Sequence, residues 1–141
     1  MKTTKILVQK SETGLSEDNK AKLKSLKIYK DKKHFKFSNG WVDLAYELGK
    51  NIEEVCKLAN CELPKIEAMY NKYNTLRVDY HFTSPVPKIV ETLIDSLIYV
   101  TEDKSEMICE YCGKSCDIEI TEKNNNYINA CEKCFDRKKR D

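Results

Sequence analysis

No stretch of this chain approaches the ~20 consecutive apolar residues that a membrane-spanning helix requires. The longest apolar-rich run, "KIVETLIDSLIYV", is broken by Glu91 and Asp95, and the opening "MKTTKILVQKSETG" holds only three consecutive apolar residues. Neither a signal peptide nor a membrane anchor is therefore expected, and the expected setting is the cytoplasm with no membrane partner. Glycine is scarce, at 4 residues, and none of them sits in a phosphate-cradling loop. The 2 histidines, His34 and His81, have no ligand or nucleophile partner nearby in sequence. Nothing resembles a nucleophilic triad or an open metal site, so no catalytic residue is assigned and the chain is read as nonenzymatic. Internal repeats and low-complexity tracts are also missing.

What the chain does have is cysteine, 7 residues, of which five fall in its last third. With 141 residues it is the size of one domain, or of one small domain carrying an appended module. The segment 107–141 is only 35 residues long. Below about 40 residues a segment seldom folds without a disulfide, a metal or a partner. In a reducing compartment paired cysteines serve as metal ligands or redox groups more readily than as structural disulfides.

The spacing Cys109-x2-Cys112, eighteen residues, Cys131-x2-Cys134 fits a zinc site built from two CxxC pairs. Two cysteines three apart point both sulfurs at one ion from a tight turn, and two such turns complete a tetrahedron at about 2.3 Å per Zn–S bond. Gly113 stands where that turn needs positive φ. Cys116 offers an alternative register in place of Cys112, although x2 on both sides is the better geometry. Four thiolates close the coordination sphere, which makes the metal structural, because a catalytic zinc keeps a position open for water. A CxxC redox couple would want a βαβ context that is absent, and four cysteines alone also suit an iron–sulfur centre. Between the pairs, "DIEIT" and "NYINA" alternate like two antiparallel strands around "EKNNN", which favours zinc.

In these residues the chain resembles the zinc-ribbon family, with knuckles "CEYCGK" and "CEKCF" carried on β-hairpins over about residues 107–135. It departs from the commonest form in having Glu110 where a proline often follows the first cysteine, and in carrying Cys116. The resemblance implies one structural Zn2+ per chain and a module of the kind that serves transcription, replication and translation machineries.

Charge is unevenly spread. Residues 1–40 carry 11 lysines against 4 acids, +7; residues 41–75 carry 4 against 6, −2; residues 76–108 carry 3 basic groups against 6 acids, −3; residues 109–141 carry 7 of each. An N-terminal basic segment is a cue for an anionic partner, DNA or RNA. "YKDKKHFKF" interleaves Lys30, Lys32, Lys33 and Lys36 with Phe35, a combination that contacts phosphates while stacking on bases. The terminal Arg137, Lys138, Lys139 and Arg140 form a second short basic patch. The competing reading of the first is a hairpin with its phenylalanines in the core and its lysines in water, and of the second a solubilising tail.

The hydrophobic pattern predicts an α+β chain: a basic strand-helix-hairpin unit over 1–40, a helical segment over 41–100, together a domain 1–106, and a zinc ribbon with a basic tail at 107–141. "TKILVQK" reads as a strand, Ser16 as the cap of a helix through 26, and 27–37 as two short strands around "KDKK". "WVDLAYELG" reads as a helix stopped by Gly49, "IEEVCKLAN" as a second capped by Asn51, and "PKIEAMYNKY" as a third with Ile66, Met69, Tyr70 and Tyr73 on one stripe. "RVDYHF" reads as a strand, 87–100 as a helix, and "TEDKSE" as a charged linker.

Residues 55–71 also resemble a repressor-type helix-turn-helix, with Cys56, Ala59 and Asn60 at packing and turn positions and Ile66 and Met69 inside the second helix. Its reading side offers Glu62, Lys65, Glu67, Ala68 and Asn71, in a segment of net negative charge poorly matched to phosphates. The stripe Ile89, Val90, Leu93, Ile94, Leu97 and Ile98 is wide enough for its own core and a partner helix, so a homodimer through 89–98 is an option. Two functions follow: a nucleic-acid-associated regulatory or accessory protein, or an adaptor or inhibitor, of the kind a mobile element encodes, that docks on a protein partner.

Overall fold

Ser16, the first capping residue in the computed structural model, does what its position predicts. The structure describes residues 15–31 and 35–114. The Ser16 side chain accepts from the Asn19 N–H at 3.2 Å and opens α1 (Glu17–Lys24), with Glu17 and Asp18 in the first turn. Leu23 is its buried residue. The expected strand at "TKILVQK" lies outside the described residues.

The hairpin expected at 27–37 does not form. Lys27–Tyr29 is a single 3-10 turn, which turns the adjacent Ile28 and Tyr29 both inward, something a period-two strand cannot do. The Ile28 N–H donates to Glu53 Oε2 at 2.9 Å, and the Tyr29 hydroxyl donates to the Ala45 carbonyl at 2.7 Å. Burial, helped by the charge of Glu53, pushes that hydroxyl well above the ordinary tyrosine range. Lys36 instead lies alongside the later sheet: its N–H donates to Met69 O at 2.9 Å and its carbonyl accepts from Asn71 N at 3.2 Å.

A second correction concerns the helical segment. Val42–Ala59 is one continuous helix, α2, and Gly49 lies inside it as a buried residue. A Cβ at Gly49 would stand 2.7 Å from Tyr29 Cε2 and 2.9 Å from Leu26 Cδ1, so glycine is there to let α1 and its following turn approach the helix axis. The helix stops at Asn60, which is left-handed (φ 57°) and sends the next N–H, that of Cys61, back to Cys56 O at 2.9 Å.

The third correction is the largest. Lys65–Lys72 is a strand, β1, paired antiparallel with β2 (Thr75–His81), so the second helix that a helix-turn-helix over 55–71 requires is extended chain. A β-bulge explains the misleading pattern. The register runs Ile66↔Tyr80 and then Ala68↔Asp79, leaving Glu67 extra. The parity of β1 flips there, and the inward residues become Ile66 and Met69, three apart like a helical stripe. Tyr73 and Asn74, both at positive φ (54° and 67°), make the two-residue turn.

β2, expected as a strand, is confirmed. α3 (Lys88–Ser105) begins after Pro87, as expected, but runs on through the segment read as a linker. The reason is pairing: Glu102 Oε2 accepts from Val78 N at 3.0 Å and Ser105 Oγ from Leu76 N at 2.9 Å, so the last turns of α3 close the outer edge of β2. Burial holds the Glu102 carboxyl above the usual carboxylate range despite that N–H donor. The core between these elements is built on Tyr29, Phe37, Trp41, Leu48, Ile52, Met69, Leu76 and Ile94. The described residues thus form an α+β arrangement of three helices and one hairpin. No described helix is long and apolar enough to cross a membrane.

Candidate metal centre

Beyond α3 the chain turns at 106–108 and enters a tight loop. The Cys109 N–H donates to Lys114 O at 3.0 Å, the Gly113 N–H to Cys109 O at 2.9 Å, and the Cys112 N–H to Cys109 Sγ at 3.4 Å. Gly113 has φ +79°, the left-handed conformation expected of it. Residues 109–114 are therefore folded back on themselves, with a backbone donor aimed at the first sulfur. Second contacts of that kind orient metal-bound thiolates. Cys109 is fully buried and Cys112 is exposed.

The loop is anchored to the helical body by the first of the two residues between its cysteines. Glu110 is 6 % exposed. Its Oε2 accepts from the Ser38 N–H at 3.1 Å, its Oε1 from Asn71 Nδ2 at 2.6 Å, and its carbonyl from the Gly40 N–H at 2.6 Å. Beside it, the indole N–H of Trp41 donates to Ile108 O at 3.0 Å. Gly40 is in contact so close that a Cβ there would overlap the carbonyl oxygens of Cys109 and Glu110. Five residues from three separate places, Ser38, Gly40, Trp41, Asn71 and Glu110, thus hold the loop in place. None of the first four is singled out from the sequence for this role; Asn71 figures there only as part of a helix-turn-helix surface. The one available signal was Glu110 itself, a charged residue at a position where ribbons often carry proline.

The described residues supply two of the four expected ligands. Among them no group of three or more metal-ligating side chains comes together. Cys131, Cys134 and Cys116 lie outside the described residues. The donor set that is described, two thiols three residues apart on a turn with an N–H···S bond, fits one half of a tetrahedral thiolate site. Metal held there would stabilise the segment by joining its two halves.

The proposed nucleic-acid contacts divide. Lys30 and Lys36 are exposed. Phe35 is not available for stacking: it is 5 % exposed and packs edge-to-face on Tyr29 and Phe37, at 5.7 Å and 6.0 Å between ring centroids. The apolar cluster it belongs to outweighs the contact expected of it. Lys32, Lys33, Arg137, Lys138, Lys139 and Arg140 lie outside the described residues.

The stripe on 89–98 divides as well. Val90, Ile94 and Ile98 are buried against the core, whereas Ile89 is 76 % exposed and Leu93 45 %. Val100 (47 %) continues the exposed row at helical spacing, and Tyr99 (69 %) flanks it. His81 is paired across the hairpin, its Nδ1 lying 2.7 Å from Glu67 Oε2, with both side chains about half exposed. No family model, curated protein or solved structure matches the chain.

Proposed function

We propose that this chain is a nonenzymatic accessory protein that docks on a protein partner through the outer face of α3, with one structural Zn2+ held by Cys109, Cys112, Cys131 and Cys134. The observation that carries the docking reading is the row Ile89, Leu93 and Val100, apolar and exposed beside the buried row of the same helix. Scattered apolar residues on a surface need no explanation, but three exposed along one side of a helix, with Ser96 between them and Tyr99 and Asp103 beside them, form a patch of the kind an interface offers. The zinc is supported by the cysteine spacing and by the N–H···S turn at Cys109. In this reading the metal does no chemistry. It makes the C-terminal segment foldable, and the Glu110 bonds tie that segment to the body that presents α3.

A second reading, association with DNA or RNA, draws on the +7 charge of residues 1–40 and the exposed Lys30 and Lys36. Burial of Phe35 weakens it by removing the stacking contact. The test is purification of the full chain under native conditions, with metal analysis and identification of what copurifies. One zinc per chain and a protein partner retained by the parent but lost in Ile89→Glu/Leu93→Glu, with the zinc content unchanged, is expected. A partner retained by that variant overturns the docking surface. Nucleic-acid binding that falls steeply with salt would move the assignment to the second reading. Sedimentation of parent and variant shows whether the partner is a second copy of the chain.

A further inference from the structure

Two of the described cysteines, Cys56 and Cys61, take no part in the metal motif, and the fold brings them together. Cys56 ends the buried face of α2, and Cys61 follows the left-handed residue Asn60. The Cys61 N–H donates to Cys56 O at 2.9 Å. Bond lengths then hold the two Cα atoms within about 7 Å of each other, and disulfides usually span about 4.4 to 6.8 Å. In this helix-ending motif the side chains at those two positions commonly touch. Both thiols are free and both line one groove of about 640 Å³, together with Leu26, Leu63, Lys50 and Lys57. They differ in access: Cys56 is 2 % exposed, while Cys61 is half-buried and makes a weak contact with Ala59 O at 3.5 Å. Burial, and the neighbouring Cys61, push the Cys56 thiol up.

We propose that Cys56 and Cys61 form a dithiol site at this groove that hydrogen peroxide closes to a disulfide. Cys61, the accessible thiol, attacks first as its thiolate. An S–O bond forms, the peroxide O–O bond breaks, and the leaving oxygen departs as water, giving the Cys61 sulfenic acid. The Cys56 thiolate then attacks the Cys61 sulfur. The S–S bond forms, the S–O bond breaks, and a second water leaves. The two thiols lose two electrons and two protons in total, and one hydrogen peroxide becomes two waters. The left-handed turn at Asn60 supplies the proximity, and the bond staples the last turn of α2 to the strand-bound segment that starts β1. Because the closed loop is short, its effect on the unfolded chain is small, and a thiol reductant reopens it.

The chain reports this directly. Trypsin cuts after Lys57 and Lys65, which places Cys56 in peptide 51–57 and Cys61 in peptide 58–65. The full zinc-loaded chain is titrated with hydrogen peroxide in native buffer, alkylated, digested and weighed. The expected result is peptides 51–57 and 58–65 recovered as one species, two hydrogens lighter than their sum, separated again by dithiothreitol. Cys56→Ser should stop the reaction at a Cys61 sulfenic acid that a cyclic 1,3-dione traps. Asn60→Gly, which keeps the left-handed turn, should cross-link like the parent. Recovery of both peptides separately alkylated while other cysteines are oxidised overturns the proposal, as does either peptide joined instead to one bearing Cys109 or Cys112.

Discussion

The side-chain amide of Asn71, at the end of β1, donates to the carboxylate of Glu110 across 39 residues of sequence at 2.6 Å. The same carboxylate accepts from the Ser38 backbone, so one buried side chain joins the hairpin, the turn ahead of α2 and the cysteine loop.

Removing that carboxylate takes an acceptor from two donors at once, at a cost of about 1–3 kcal/mol for each donor left in the interior. Glu110→Ala is expected to destabilise the folded chain by a few kcal/mol, as read by urea denaturation. Asn71→Ala should cost less. In a double-mutant cycle the pair should couple by about 0.5–3 kcal/mol, since the two groups share one bond. Additive single effects would show that the bond contributes nothing.

Gly40→Ala forces a Cβ into the carbonyls of Cys109 and Glu110. Backbone cannot yield as a flexible side chain does, so the cysteine loop should detach locally. Trp41, the chain's single tryptophan, reports it, because its indole N–H is bonded to Ile108 O. The expected readout is a red-shifted emission in the variant with helix content retained. Chelation of metal from the parent should shift Trp41 emission in the same direction.

Gly49→Ala tests the helix interior. By propensity alone alanine stabilises a helix by up to about 1 kcal/mol over glycine. Here the new methyl meets the rings and side chains of Tyr29 and Leu26 at under 3 Å, and overpacking typically costs about 1–3 kcal/mol. The expected sign is destabilisation, seen as a lower Tm. A rise in Tm would mean that the Tyr29 ring gives way.

Glu102 sets a pH dependence. Its folded-state carboxyl titrates above its ordinary value because burial disfavours the charge. The folded chain therefore binds this proton more readily than the unfolded chain does. The penalty is absent below the ordinary value of 4.5 and complete once the pH has passed the raised one. Glu102→Gln keeps an acceptor for Val78 and never carries the charge, so it should be at least as stable as the parent at neutral pH. That advantage should fade as the pH falls towards 4.5. Melting both proteins across that window checks the sign.

Phe35→Leu keeps an apolar side chain in the cluster with Tyr29 and Phe37 and should cost about 1–3 kcal/mol of stability. Any affinity for single-stranded nucleic acid should be unchanged at temperatures where the variant is folded. A loss of affinity in the folded variant would return Phe35 to the surface role that its sequence context suggested.

Where local chemistry decides the structure, the sequence is readable. Ser16 with Glu17 and Asp18 announces α1, Pro87 the start of α3, and Gly113 the turn that follows Cys112. Misreadings arise where a residue answers to a distant neighbour. Gly49 looks like a helix stop but is small because Tyr29 packs on it. Ile66 and Met69 look helical because one bulged residue, Glu67, changes which way the strand faces. "TEDKSE" looks like a linker, yet Glu102 and Ser105 serve the edge of β2. At the cysteine loop the ligand spacing is local and legible, whereas the bonds holding it connect residues 67 and 72 apart, a separation that leaves no periodic trace.

The long reach of those bonds also orders the making of the protein. A chain leaving the ribosome presents its N-terminal residues first, at roughly 5–20 residues per second. The indole of Trp41 and the N–H of Gly40 meet their acceptors only after Ile108 and Glu110 have emerged. α1, α2 and the hairpin, complete at His81, therefore emerge roughly 1–6 s before the corner around Trp41 can close, and α3, complete at Ser105, precedes it by about a second or less. The cysteine loop thus latches elements that leave the ribosome before it, and a chain cut short of residue 108 would lack the acceptors of the Trp41 indole and the Gly40 N–H and be left open at that corner.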